Sequence, residues 1–101
     1  MTASELTQWA KKKMEGDGCR LNRVNNIPVR RRKGTIERGW SDLQGYTEDG
    51  KYLAIEVKTS NDKLSPYQRG RLNDIVDCGG LAFICTEYDG VPILREWTGM
   101  Q

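Results

Sequence analysis

The sequence has no histidine. Imidazole-based acid–base catalysis, Ser-His-Asp and Cys-His hydrolysis, and zinc sites that need imidazole are therefore excluded. Cysteine is sparse as well. Cys19, Cys78 and Cys85 are odd in number, far apart and form no Cys-x-x-Cys, which falls short of a four-ligand structural zinc site. They read as small buried or half-buried thiols of a reducing compartment, since no histidine base could activate one. No apolar run reaches the roughly 18 residues that span a bilayer, so no membrane partner is expected. Met1-Thr2-Ala3-Ser4-Glu5 shows no basic region followed by an apolar stretch, so no secretory leader is expected and the location reads as cytoplasmic. An excess of one charge is also missing: 16 basic against 14 acidic side chains leave +2. Hydrophobic content is 37% and mean hydropathy −0.71, yet three Trp, four Tyr and regular apolar alternation argue against disorder. At 101 residues the chain has room for one domain, expected over 1–101.

No repeat, low-complexity tract or linker interrupts it. Thr2 to about Glu15 predicts a helix: Thr2-Ala3-Ser4-Glu5 fits a capping box, and Leu6, Trp9, Ala10 and Met14 lie near one face. Gly16 and Gly18 end it. Cys19–Val24 reads as a short strand, followed by an irregular basic stretch, 25–39. Strands are then expected at Asp42–Tyr46 and Lys51–Lys58, with Asp49-Gly50 signalling a tight antiparallel hairpin. After a polar loop, Ser65 and Pro66 suit the N-cap and first position of a helix running to about Cys78, with Gly79-Gly80 beyond. Leu81–Glu87 and Val91–Trp97 flank a second Asp-Gly turn. The order α-β-β-β-α-β-β indicates an α/β domain with a mixed sheet.

The alternation in Tyr52-Leu53-Ala54-Ile55-Glu56-Val57-Lys58 is the most informative pattern. Leu53, Ile55 and Val57 share one face, expected to be core. Glu56 and Lys58 leave the other, their Cα atoms roughly 6.5–7 Å apart. The hairpin brings Asp42 toward the late part of its partner strand, so two carboxylates and one ammonium converge at an edge of the sheet. Mg²⁺ takes such oxygen ligands together with waters and substrate phosphate. Asp42 and Glu56, with the Val57 backbone carbonyl, could supply that half-shell, and Lys58 could orient water and offset charge on a phosphodiester. A solvated strand face with a cross-strand Asp–Lys contact would leave the same pattern.

The stretch Gly39-Trp40-Ser41-Asp42, Ile55-Glu56-Val57-Lys58 and Leu64-Ser65-Pro66-Tyr67-Gln68 resembles the PD-(D/E)xK nuclease core. More narrowly it is similar to the VRR-NUC branch, whose stand-alone members are often phage-encoded and would act inside a bacterial host. The resemblance implies a restriction-endonuclease-like mixed β-sheet flanked by helices. It implies Asp42 and Glu56 as ligands of Mg²⁺ (or Mn²⁺), Lys58 as the catalytic lysine, and Gln68 as a helix residue facing the metal. Gln68 is equally the fourth residue of a capping box, Ser65-x-x-Gln68. Glu5 matches an acidic residue of the family's first helix; it either completes the metal shell or only caps its own helix. Ser41 stands where the family usually has Pro before Asp.

Residues 19–38 hold Arg20, Arg23, Arg30, Arg31, Arg32, Lys33 and Arg38 against only Glu37, a local +6 that leaves −4 for the rest. The charge is segregated. Arg30–Lys33 with Arg23 and Arg38 read as a DNA-binding arm tracking phosphates, and Lys11-Lys12-Lys13 as a second cluster or a solvated face. Most of Tyr46, Tyr52 and Tyr67 are assigned to sheet packing. The expected function is a metal-dependent endonuclease on DNA, structure-selective for four-way or branched DNA as a homodimer, with no small-molecule cofactor. The alternative is a nuclease-fold binding or adaptor protein that does not cut. Base-edge readout is not expected, because no recognition module fits beside the core.

Overall fold

The computed structural model describes residues 1–24, 41–59 and 62–99. Its elements are α1 (Ala3–Gly16), β1 (Arg20–Arg23), β2 (Leu43–Tyr46), β3 (Tyr52–Val57), α2 (Pro66–Asp77), β4 (Leu81–Tyr88) and β5 (Val91–Glu96). The expected order is present, with ends shifted by a residue or two. The arm residues Arg30, Arg31, Arg32, Lys33 and Arg38 lie outside the described residues, as do Gly39 and Trp40.

One five-stranded sheet runs β1-β2-β3-β4-β5. All pairs are antiparallel except β3 with β4, which are parallel because the chain crosses back through α2. The β2–β3 connection is wider than a two-residue turn: Tyr46 pairs with Tyr52, and residues 47–51 close on Thr47. The Thr47 N–H donates to Lys51 O at 2.8 Å, and its hydroxyl accepts from Lys51 N at 3.0 Å and donates to Asp49. At Asp89-Gly90 the turn is tight. Both residues take positive φ, +50° and +77°, as a two-residue hairpin turn between Tyr88 and Val91 requires.

Each face of the sheet carries a helix. Leu6, Ala10 and Met14 of α1 pack against Leu21, Leu43, Leu53, Ile55, Val57 and Cys85. Leu72 and Ile75 of α2 pack against Ala54, Ala82 and Trp97. The alternation in β3 thus holds, but its second face is a core too: Ala54 is 0% and Glu56 2% exposed. Glu56 does not stand on a solvated surface. α2 rather than water covers it.

Two further expectations are corrected. Cys19 and Cys85 are buried, but Cys78, at the C-cap of α2, is exposed. Tyr46, Tyr52 and Tyr67 are exposed by 55%, 37% and 57%, so they are not sheet filling. Among the described residues, no helix is long and apolar enough to cross a membrane.

Candidate active site

Asp42 sits one residue before β2. The register Leu43↔Ile55, continued by one step, sets it opposite Glu56. Its backbone and side chain are both tied down. Its carbonyl accepts from Val24 N at 2.8 Å, and its Oδ2 accepts from Val57 N at 2.9 Å. The second bond supplies β3 with an acceptor where β2 has not yet begun, and it holds the Asp42 carboxylate against the end of β3.

Glu56 is held from the other side by α2. Ser65 caps that helix with φ −75° and ψ 162°, its hydroxyl accepting from Gln68 N at 3.2 Å. Gln68 returns the bond: its Oε1 accepts from Ser65 N at 2.9 Å. The other end of the same amide, Nε2, donates to Glu56 Oε1 at 3.0 Å. One side chain therefore both caps α2 and donates to Glu56, because a primary amide has an acceptor end and a donor end.

Glu56 Oε2 is buried and meets no donor among the described residues. Burial is the main cause that pushes the Glu56 carboxyl up to about 9. The hydrogen bond and negative charge of Asp42 add to it, and the Lys58 ammonium partly opposes it. Without a bound cation, Glu56 is therefore neutral at pH 7. Lys58 follows β3 directly. Its N–H donates to Cys85 O at 2.9 Å, which extends the parallel ladder and sends the half-buried side chain toward the Glu56 side of the sheet. Val57 ends β3, with its N–H spent on Asp42.

Glu5 stands apart from this cluster. It is exposed, and its carboxylate accepts from Thr2 N at 2.9 Å in a complete capping box. That hydrogen bond, chiefly, holds its pKa below the usual carboxylate range. Among the described residues no three acidic or cysteine side chains gather as a ready metal shell. Of the basic residues, Arg23 ends β1 and its Nη1 donates to Ser4 Oγ at 3.4 Å. Lys11 pairs with Glu15 at 3.2 Å and Lys13 lies over the Trp9 ring, so the lysine cluster is partly spent within α1. Ser41 is 1% exposed and its hydroxyl meets no partner among the described residues.

The donor set suits a hard divalent cation. Two facing carboxylates, one with a buried oxygen that no donor among the described residues satisfies, are costly without a positive partner, and among those residues no soft ligand accompanies them. Asp42 Oδ atoms and Glu56 Oε2 would hold Mg²⁺ or Mn²⁺. Such an ion would supply Lewis-acid polarisation of a phosphodiester and acidify a water.

Residues 6–87 match the family model described as the VRR-NUC domain. The chain belongs to the VRR-NUC family. It is thus a nuclease domain of the PD-(D/E)xK superfamily. Among solved structures it is similar to Hjc of the archaeal hyperthermophile Archaeoglobus fulgidus, a Holliday junction resolvase. The TM-score is 0.62 and identity 18%, over 91% of this chain and 73% of that one. At that identity the likeness is one of fold. No curated protein matches the chain. What the VRR-NUC reading missed in the sequence is the coupling of cap to carboxylate. The signal was there, in a Ser-x-x-Gln cap whose fourth residue is an amide rather than an acid.

Proposed function

We propose that this VRR-NUC domain is a divalent-metal-dependent endonuclease that hydrolyses DNA phosphodiester bonds, with four-way or branched DNA as its preferred substrate. The observation that carries the reading is the facing pair of half-buried Asp42 and buried Glu56, held together at the end of β3 and flanked by Lys58. Asp42 and Glu56 would hold Mg²⁺ or Mn²⁺, with the Val57 carbonyl as a neutral third ligand. The Lys58 ammonium donates to phosphate oxygens and offsets the charge that grows there. Gln68 keeps Glu56 in one rotamer, so the carboxylate need not reorganise when substrate arrives.

Branched DNA is favoured for two reasons. The fold is shared with a Holliday junction resolvase. A four-way junction also needs two symmetric cuts, whereas one copy of this chain, 37 × 32 × 26 Å, has one carboxylate pair, so a two-fold homodimer fits the task. Arg23, with Arg30, Arg31, Arg32, Lys33 and Arg38 next in the chain, would follow the phosphates. Glu5 belongs to this machinery only if the first turn of α1 releases its cap.

Cleavage of linear, nicked, flapped and four-way DNA, with RNA as a further substrate, tests the proposal with and without Mg²⁺ or Mn²⁺. We expect metal-dependent paired nicks on four-way DNA, abolished by Glu56→Gln with binding retained. No metal-dependent cleavage of any substrate would leave a binding module. Equal cleavage of linear duplex, or a monomer at working concentration, would remove the junction and dimer assignments.

A further inference from the structure

The sheet face that carries Asp42 and Glu56 extends well beyond them. Directly opposed residues on neighbouring strands share a face. The register therefore arranges this face in three rows: Asp42 with Glu56, then Asn22 with Gln44 and Ala54, then Arg20 with Tyr46 and Tyr52. The alternate residues of the same strands, Leu21, Leu43, Leu53 and Ile55, are buried under α1. α2 packs chiefly on β3 and β4 and covers Ala54 in the middle row. It leaves the third row open: Arg20 is exposed, Tyr46 is 55% and Tyr52 37% exposed. Between Tyr52 and α2 lies a cavity of about 410 Å³ walled by Gln44, Tyr52, Arg71, Asp74 and Ile75.

Single exposed aromatics are ordinary on a small domain. Here two stand side by side as a cross-strand pair, with a guanidinium as the third member of the row. The acidic side chains of the adjoining loop turn toward the end of α1 and into the loop itself. The Glu48 carboxylate sits against Gly18, at the end of α1, and Asp49 accepts from the Thr47 hydroxyl.

We propose that the Arg20–Tyr46–Tyr52 row is a stacking platform for unpaired bases of the DNA strand whose backbone reaches Asp42 and Glu56. This rests on the nuclease reading of that carboxylate pair and adds what selects the substrate. Tyrosine rings offer a flat apolar surface that any base can cover, and Arg20 supplies a cation for the accompanying phosphate. Four residues of strand separate the rows, about 13 Å, or about four stacked nucleotides at 3.4 Å each. A continuous duplex hides its base faces, so the row discriminates in favour of frayed, tailed or junction-point strands. The other candidate occupant is a second copy of the chain. Charge complementarity through Arg20, and continuity with the cleavage centre, favour nucleic acid.

The test is binding in EDTA, where no cleavage interferes. Probes are a fluorescein-labelled dT 20-mer, a blunt duplex, and the same duplex with a dT tail. We expect Tyr46→Ala and Tyr52→Ala each to weaken the single strand and the tailed duplex about tenfold, with the blunt duplex unchanged and Tyr46→Trp retaining affinity. No loss, or an equal loss on the blunt duplex, overturns the platform. A lower sedimentation coefficient of the free Ala variants also overturns it, and assigns the row to a second copy. A wild-type protein that selects tails through these tyrosines but never cleaves with Mg²⁺ or Mn²⁺ sinks the nuclease reading alone. Cleavage with unaltered tail selectivity in the variants sinks the platform alone.

Discussion

Gln68 donates to Glu56 Oε1 at 3.0 Å while its own carbonyl oxygen is held by Ser65 N at 2.9 Å. The amide has no freedom to flip. Reversing it would set a carbonyl against a carboxyl oxygen and an NH₂ group against an N–H. The helix cap therefore orients the only side-chain donor that Glu56 meets among the described residues.

Gln68→Glu separates capping from catalysis. Glutamate serves as well as glutamine at this position of a capping box, so the helix should persist. It removes the donor to Glu56 and sets a third carboxylate beside Glu56. Thermal melting at pH 7 should show a small change, whereas metal-dependent cleavage should fall by about 10–100-fold, the scale seen when a ligand's supporting hydrogen bond is lost. Gln68→Ala should cost activity and, in addition, about 1 kcal/mol of stability from the lost cap. A Gln68→Glu variant that cleaves at the parental rate would reduce Gln68 to a cap.

Glu56 makes the metal-free protein sensitive to pH in a defined direction. The folded carboxyl titrates near 9 rather than at its ordinary 4.5, because of burial first and Asp42 second. Above pH 4.5 the folded chain thus holds a proton that the unfolded chain has released. Stability falls as pH rises through this window toward 9, and is fully present only below its lower end. Urea unfolding in EDTA at pH 6 and pH 8.5 should show the loss, and Glu56→Gln, which mimics the protonated form, should flatten it. Mg²⁺ competes with the same proton, so its addition should release protons and reduce the slope. Parallel slopes in the parent and Glu56→Gln would assign the effect to other groups.

Much of this was legible in residues 52–58. The period-2 pattern separates Leu53, Ile55 and Val57 from Glu56, and the hairpin signal at Asp49-Gly50 sends Asp42 back toward Glu56. What the strand itself does not encode is which helix covers its second face. Ala54 is too small to mark a core, and Glu56 reads as solvated until Leu72 and Ile75 of α2 are set over Ala54. The aromatic residues misled for a related reason. Tyr46 and Tyr52 have the propensity of packed strand residues, but a 12-residue α2 reaches only part of a five-stranded sheet. Ser-x-x-Gln reads as a cap alone until the second end of the amide is followed to Glu56.

Gly45 fixes how β1 joins this arrangement, and it offers a prediction of unusual sign. It pairs with Leu21, and a Cβ added to it would lie 1.7 Å from Arg20 O and 2.9 Å from the Leu21 Cα. Both obstacles are backbone, so no side-chain rotation relieves them. In an ordinary strand, alanine in place of glycine stabilises by about 0.5–1 kcal/mol. Here Gly45→Ala must push β1 away from β2, and overpacking of this kind costs about 1–3 kcal/mol. Hydrogen exchange should report the loss locally, at the β1–β2 amides, before β3 and β4 are affected. Displacing β1 also moves Arg20 away from Tyr46, so the tailed-duplex preference should weaken while Asp42 keeps its bond to Val57 N. A Gly45→Ala protein at least as stable as the parent would show that the close approach of the two strands is not a constraint of the fold.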